Sequence, residues 1–146
     1  MILDSLKWRY ATKVFDPSKK LANSDVQTLI DAFRLTPTSF GLFPFELIIV
    51  ENPQIREELV AHSWGQRQIA DASHLFIVAR RTDVDAAFID KYVEKVAATR
   101  GITVESLQQY AGMMKGSLTG RTPEELATWT GKQAYIAMGN LLTVAA

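Results

Sequence analysis

The stretch from Thr122 to Ala146 limits what this chain can fold into more than any other. Thr122-Pro123-Glu124-Glu125 opens it with a capping threonine, a proline at the first helical position and a glutamate placed to close a capping box. Trp129, Tyr135, Ile136, Met138, Leu141, Leu142 and Val144 then fall around most of the helix circumference. A helix apolar on nearly all sides is buried on nearly all sides. Gly139 and the neighbouring alanines permit close approach of another helix. Nothing else in the chain is an evident cover for so much apolar surface. The expectation is a large hydrophobic dimer interface, a missing C-terminal portion, or both.

A chain of 146 residues is one domain's worth, and a 47% apolar share is enough for a core. The net charge is zero, which removes any bulk attraction to nucleic acid or an anionic membrane. There is no cysteine, so disulfides, thiolate metal sites and cysteine nucleophiles are excluded. Met1-Ile2-Leu3-Asp4 is too short and too acidic for a secretory signal. The longest uncharged run, Gln133 to Ala146, is shorter than the ~20 residues that span a bilayer. A cytoplasmic protein is the expectation.

Ile2 to Trp8 reads as a short amphipathic helix, and Phe15-Asp16-Pro17-Ser18 as a turn. Ser24 and Gln27 have the spacing of a capping box ahead of Val26, Leu29, Ile30 and Phe33, with Pro37 as the stop. Phe45 to Val50 and Leu75 to Ala79 read as buried strands. Asn52 and Pro53 start a helix between them. Helices follow over Asp83 to Arg100, stopped by Gly101, and over Thr103 to Leu118. Two strands among six or so helices make an α+β domain with a small central sheet.

Three segments carry candidate binding chemistry. The first is Arg9-Tyr10-Ala11-Thr12-Lys13, where a guanidinium and an ammonium four residues apart suit a phosphate dianion. A solvated basic turn, with Lys19 and Lys20 nearby, explains the same spacing. The second is the loop Pro37-Thr38-Ser39-Phe40-Gly41-Leu42-Phe43-Pro44, whose hydroxyls and amides can serve either an anion or simple turn geometry. The third is Trp64-Gly65-Gln66-Arg67-Gln68, running into Asp71-Ala72-Ser73-His74. Carboxamides such as those of Gln66 and Gln68 donate and accept toward a heterocycle edge, or cap a short helix. Tyr110, Met113 and Met114 fit either an adaptable pocket wall or core packing. His74 and Asp71 read as structural, and His62 has no partner at metal spacing, so no metal is expected. No catalytic triad, paired-carboxylate site, GxGxxG or Walker loop is present.

In this order the three segments resemble the flavin-binding segments of the nitroreductase family. Trp129-Thr130-Gly131-Lys132-Gln133 with Gly139-Asn140-Leu141-Leu142 resembles that family's interface helix. The likeness runs over the whole chain and covers about the first two-thirds of a typical member. It implies a single nitroreductase-like domain over 1–146, C-terminally incomplete, in an intertwined homodimer with a long buried interface helix. It also implies FMN as cofactor and NADH or NADPH as donor. Hydride would pass through the flavin to a nitroaromatic, quinone or similar small acceptor by a ping-pong mechanism. The flavin carries that chemistry, so no catalytic side chain is expected. The resemblance assigns cofactor binding to Arg9, Tyr10, Ala11, Lys13, Thr38, Ser39, Phe40, Gly41, Gln66 and Gln68, and the substrate pocket to Phe43, Tyr110, Met113 and Met114. The chain departs from the family pattern at Ala11, Gly41, Phe43 and Gly65, where many relatives carry polar residues. Two other readings are a truncated or degenerate dimer without catalysis, and a helical interaction module docked by its last helix.

Overall fold

A computed structural model describes residues 2–146. Met1, part of the segment weighed as a leader, lies outside the described residues. The described residues form seven α-helices and a two-stranded sheet in the order α1 (Ile2–Trp8), α2 (Asn23–Arg34), β1 (Phe45–Val50), α3 (Pro53–Ala61), α4 (Gln68–Asp71), β2 (Leu75–Arg80), α5 (Ala86–Arg100), α6 (Gln108–Leu118) and α7 (Pro123–Val144). Arg81 N–H donates to the Pro44 carbonyl, pairing the end of β2 with the start of β1, so the strands run antiparallel. None of these helices is long and apolar enough to cross a membrane.

Helix starts follow the local chemistry of the sequence. The Asn52 side chain accepts from Gln54 and Ile55 N–H at 2.9 and 3.2 Å, ahead of Pro53. Thr122 and Glu125 exchange hydrogen bonds at 2.9 and 3.2 Å, closing the capping box of α7. Gly101 ends α5 in the left-handed region, with φ 64°. Three expectations need correction. Ser24 and Gln27 form no capping box, because α2 starts at Asn23 with Ala22 as its cap. Ser24 therefore lies inside the first turn, and Gln27 bonds Asp31 instead. The helix expected from Asp83 begins at Ala86, because Asp85 caps it through Phe88 N–H at 2.8 Å. The helix expected from Thr103 opens as a 3-10 turn, Glu105–Leu107, before α6. The strands are also less buried than expected: β1 alternates, and β2 is half-buried apart from exposed Arg80.

The chain forms two compact units. One comprises the segment up to Thr36, Leu47–Ala79 and Ala137–Ala146. Within it the Asn140 amide donates to the Ala32 carbonyl at 2.8 Å and to the Thr36 hydroxyl at 3.1 Å, fastening the end of α7 to the end of α2. Arg56 of α3 is 3% exposed and organises the segment after α4. Its Nε donates to Ile69 C=O at 2.9 Å, one Nη to Ser73 C=O at 3.0 Å, and the other to Ala72 C=O. A guanidinium at the C-terminal end of α4 also complements the helix dipole. In contrast, α1 buries no residue, leaving Ile2, Leu3, Leu6 and Trp8 exposed.

The other unit comprises Pro37–Glu46 and Arg80–Ile136. Its core gathers Leu42, Val84, Ile89, Val93, Ala111, Met114, Leu118 and Trp129. Burying a side chain of the size of Ile89, Met114 or Leu118 contributes about 1.5–3 kcal/mol. Arg81 braces the entry to α5, bonding Asp83 and Glu46 and lying 5.0 Å from the Phe88 ring centroid. The apolar surface of α7 is only partly covered: Trp129, Ala137 and Leu141 are buried, while Tyr135 and Leu142 are 72% and 52% exposed.

Candidate functional site

The loop between α2 and β1 is the most tightly specified part of the candidate set. Phe40 and Gly41 take consecutive left-handed conformations, with φ 59° and 61°, and Phe43 follows with φ 56°. Phenylalanine in that region costs energy, so neighbours must hold it there. The hydroxyls of Tyr92 on α5 and Tyr110 on α6 both donate to the Phe40 carbonyl, at 3.0 and 2.5 Å. Gln133 on α7 accepts from Ser39 N–H at 2.9 Å. The Phe40 ring sits edge-on to Tyr110, with centroids 6.4 Å apart. Gly41 is required as well as permitted, because a Cβ there would stand 2.9 Å from the Tyr92 hydroxyl. Burial, and then the neighbouring Tyr110, raise the Tyr92 pKa above the ordinary tyrosine value, keeping its hydroxyl a donor.

The loop leaves polar groups to spare. The Thr38 hydroxyl is buried and has no hydrogen-bond partner. Such a group costs free energy unless something else satisfies it. Ser39 is exposed, and Phe43 is half-buried with its ring against Phe45 at 4.4 Å. Met113 is exposed on α6. Met114, expected in the substrate pocket, instead has no exposed surface and is part of the core. It occupies the inward face of α6, one residue around the helix from Met113. Tyr110, expected beside it, uses its hydroxyl on the loop carbonyl.

The remaining candidates belong to the other unit. Arg9, Tyr10, Ala11 and Lys13 lie in the irregular, exposed segment after α1. Neither Arg9 nor Lys13 has an ion-pair partner among the described residues. Gln66 is exposed just before α4, and half-buried Gln68 is the first residue of that helix. Arg56 holds the carbonyls that follow, so it sets the frame on which Gln68 stands. Asp71 pairs with Arg67 at 3.1 Å, a structural role. His74 contacts Ser73 Oγ at 2.9 Å through Nδ1 and stands 3.7 Å from Glu51 through Nε2. No group of His, Asp or Glu suited to hold a metal occurs among the described residues. A cleft of about 570 Å³ lined by Arg121, Glu124, Glu125 and Thr128 contains none of the candidate residues.

Sequence reasoning missed Tyr92, Gln133 and Arg56. Tyr92 reads as one more apolar position on α5, and its acceptor is 52 residues away. Nothing in the sequence singles out Arg56, because backbone carbonyl acceptors leave no mark there.

Solved structures place this architecture among nitroreductase-like proteins. A nitroreductase-like protein from Streptococcus mutans superposes with a TM-score of 0.81 at 21% identity, covering 97% of this chain and 68% of that one. A structure described as a "putative nitroreductase in complex with FMN", from Exiguobacterium sibiricum 255-15, gives 0.79 at 15% identity, covering 99% and 69%. The sequence is 37% identical over 152 residues to the Bacillus subtilis (strain 168) protein named "Putative NAD(P)H nitroreductase YfkO", covering 99% of this chain and 69% of that one. The nitroreductase family profile matches residues 6–146, and the chain belongs to that family. It spans about two-thirds of the length of these relatives.

Proposed function

We propose that the chain is an FMN-dependent oxidoreductase that takes reducing equivalents from NADH or NADPH and acts as a cytoplasmic homodimer. The observation that carries this reading is the Thr38–Gly41 loop, which is held in a costly conformation and keeps one buried hydroxyl unsatisfied. A loop stabilised in that way, in a member of this family, fits a ligand that supplies the missing partner. The FMN-bound Exiguobacterium structure and the NAD(P)H-named Bacillus relative support the choice of cofactor and donor.

In this reading each residue has a limited task. Arg9 and Lys13, cations with no ion-pair partner in the described chain, serve the phosphate and the ribityl chain or pyrimidine edge of FMN. Tyr10 and Ala11 supply the backbone that presents them. Thr38 and Ser39 offer hydroxyls, Phe40 and Gly41 set the loop's shape, and Gln66 and Gln68 offer carboxamides to the ring edge. Phe43, Met113 and the Tyr110 ring supply apolar surface toward the acceptor. When bound, FMN supplies the hydride chemistry, accepting from the nicotinamide and delivering to a nitroaromatic, quinone or similar acceptor in ping-pong order. The exposed residues of α7 supply the dimer contact.

An absorbance spectrum tests this directly. Purified protein, supplied with FMN, should carry a flavin band near ~450 nm that bleaches when NADH or NADPH is added without oxygen. Colourless dimers would mean that the fold persists here without its activity. Arg9→Ala should weaken FMN binding roughly tenfold or more, the worth of a charged hydrogen bond, and leave the thermal transition unchanged. Equal affinity would remove Arg9 from the site.

A further inference from the structure

Two adjacent loop residues, Ser39 and Phe40, tie three helices to the loop. Tyr92 from α5 and Tyr110 from α6 donate to the same Phe40 carbonyl, and Gln133 from α7 accepts from the N–H of the preceding residue, Ser39. A carbonyl has two lone pairs, so the two hydroxyls satisfy it fully and without competition. Phe40, whose carbonyl is clamped, lies at φ 59°, a conformation that costs a residue with a Cβ, whereas Gly41 takes φ 61° freely. The clamp is also close-fitting, since Gly41 leaves room for the Tyr92 hydroxyl and no more. Thr38 and Ser39 lie directly before Phe40, so their hydroxyls are aimed by whatever fixes the Phe40 peptide.

We propose that Tyr92 and Tyr110 are paired positioning residues: together they hold the Phe40 carbonyl and so aim the Thr38–Ser39 hydroxyls at the bound flavin. The proposal rests on the FMN reading given above. Two donors on one acceptor make the device redundant. Either hydroxyl alone keeps the partly buried carbonyl from being orphaned, and only loss of both frees it. Phenylalanine at either position keeps the ring and its packing while removing the hydroxyl.

The test uses the full chain and its Tyr92→Phe, Tyr110→Phe and double variants. FMN affinity is read by flavin fluorescence quenching, and the bound flavin by its spectrum and midpoint potential at saturation. Amide hydrogen exchange across 38–43 is read without FMN. Each single variant should lose about two- to threefold in affinity, toward the low end of one neutral hydrogen bond. The double variant should lose about tenfold or more, beyond the product of the single losses. It should also shift the spectrum and potential at saturation, which a purely structural role would not. Exchange across 38–43 should accelerate about tenfold in the double variant. Unchanged affinity, spectrum and potential in the double variant would overturn the proposal. If the unaltered chain itself takes up no FMN, the functional reading fails and with it the flavin part of the proposal. The clamp itself is then decided by exchange: faster exchange in the double variant upholds it, and equal exchange refutes it.

Discussion

Replacing Gly41 with alanine should be unusually costly, and the structure gives the size of the effect. The new Cβ would lie 2.9 Å from the Tyr92 hydroxyl oxygen, closer than real Cβ atoms approach any heavy atom. Tyr92 cannot simply swing aside, because its hydroxyl donates to Phe40 C=O at 3.0 Å and its ring packs on the core. Two costs therefore combine. A left-handed conformation costs a residue with a Cβ about 1–2 kcal/mol. Displacing the hydroxyl forfeits about 0.5–1.5 kcal/mol of net hydrogen bonding. The sum is about 1.5–3.5 kcal/mol. With a urea m-value of about 1–3 kcal/mol/M, the unfolding midpoint should fall by roughly 1 M. Gly101→Ala is the control, since Gly101 has φ 64° and open space where its Cβ would stand. It should show the first cost alone. In a Tyr92→Phe background the nearest ring carbon is 4.0 Å from the new Cβ, an ordinary contact, and the Gly41→Ala penalty should shrink to the control value. All chains are compared at one protein concentration. Equal losses for Gly41→Ala and Gly101→Ala would refute the argument.

Three further outcomes are expected. Arg56→Ala should destabilise the protein by about 3 kcal/mol or more, because three carbonyls lose a charged donor at once; a urea midpoint within error of the parent would show that water replaces the guanidinium freely. Leu142→Asp should convert dimers to folded monomers by light scattering, since Leu142 is exposed in the single chain, whereas buried Leu141→Asp should unfold it. A stable Leu142→Asp dimer would move the interface elsewhere. Tyr92 contributes a pH dependence of known sign: its pKa is raised in the folded chain, so the unfolded chain loses that proton first. Stability from this group is constant below about pH 10, the unfolded tyrosine value, and is lost as pH rises through the folded one. Tyr92→Phe should flatten the alkaline fall in stability, and an identical fall in both chains would exclude Tyr92 as its source.

What was legible in the sequence was what is local. Asn52 and the Thr122–Glu125 pair act within three residues of themselves, so their spacing is their mechanism. Strand positions were legible from β-branched runs, and the uncovered apolar face of α7 from its composition alone. Ser24 misled because two helix starts one or two residues apart look alike from side chains, and backbone geometry chose the earlier one. Of the candidate site, the segments could be named but not their internal order. Met113 and Met114 are adjacent and chemically identical, and only packing separates an exposed residue from a core one. The acceptor of Tyr110 is 70 residues away, and that of Asn140 is 108. No window of sequence contains such a pair.

The path of the chain through its two units has a consequence in time. One unit is assembled from three separate segments, the last beginning at Ala137, and the other runs to Ile136. Helix α7 supplies the closing piece of each. A ribosome adding about 5–20 residues per second makes the end of α2 roughly 5–20 s before Asn140 exists to meet it. Through that interval neither unit is complete, because each still lacks its own stretch of α7. Substitutions in α7 should therefore reduce yield in the cell more than their effect on the finished protein would suggest.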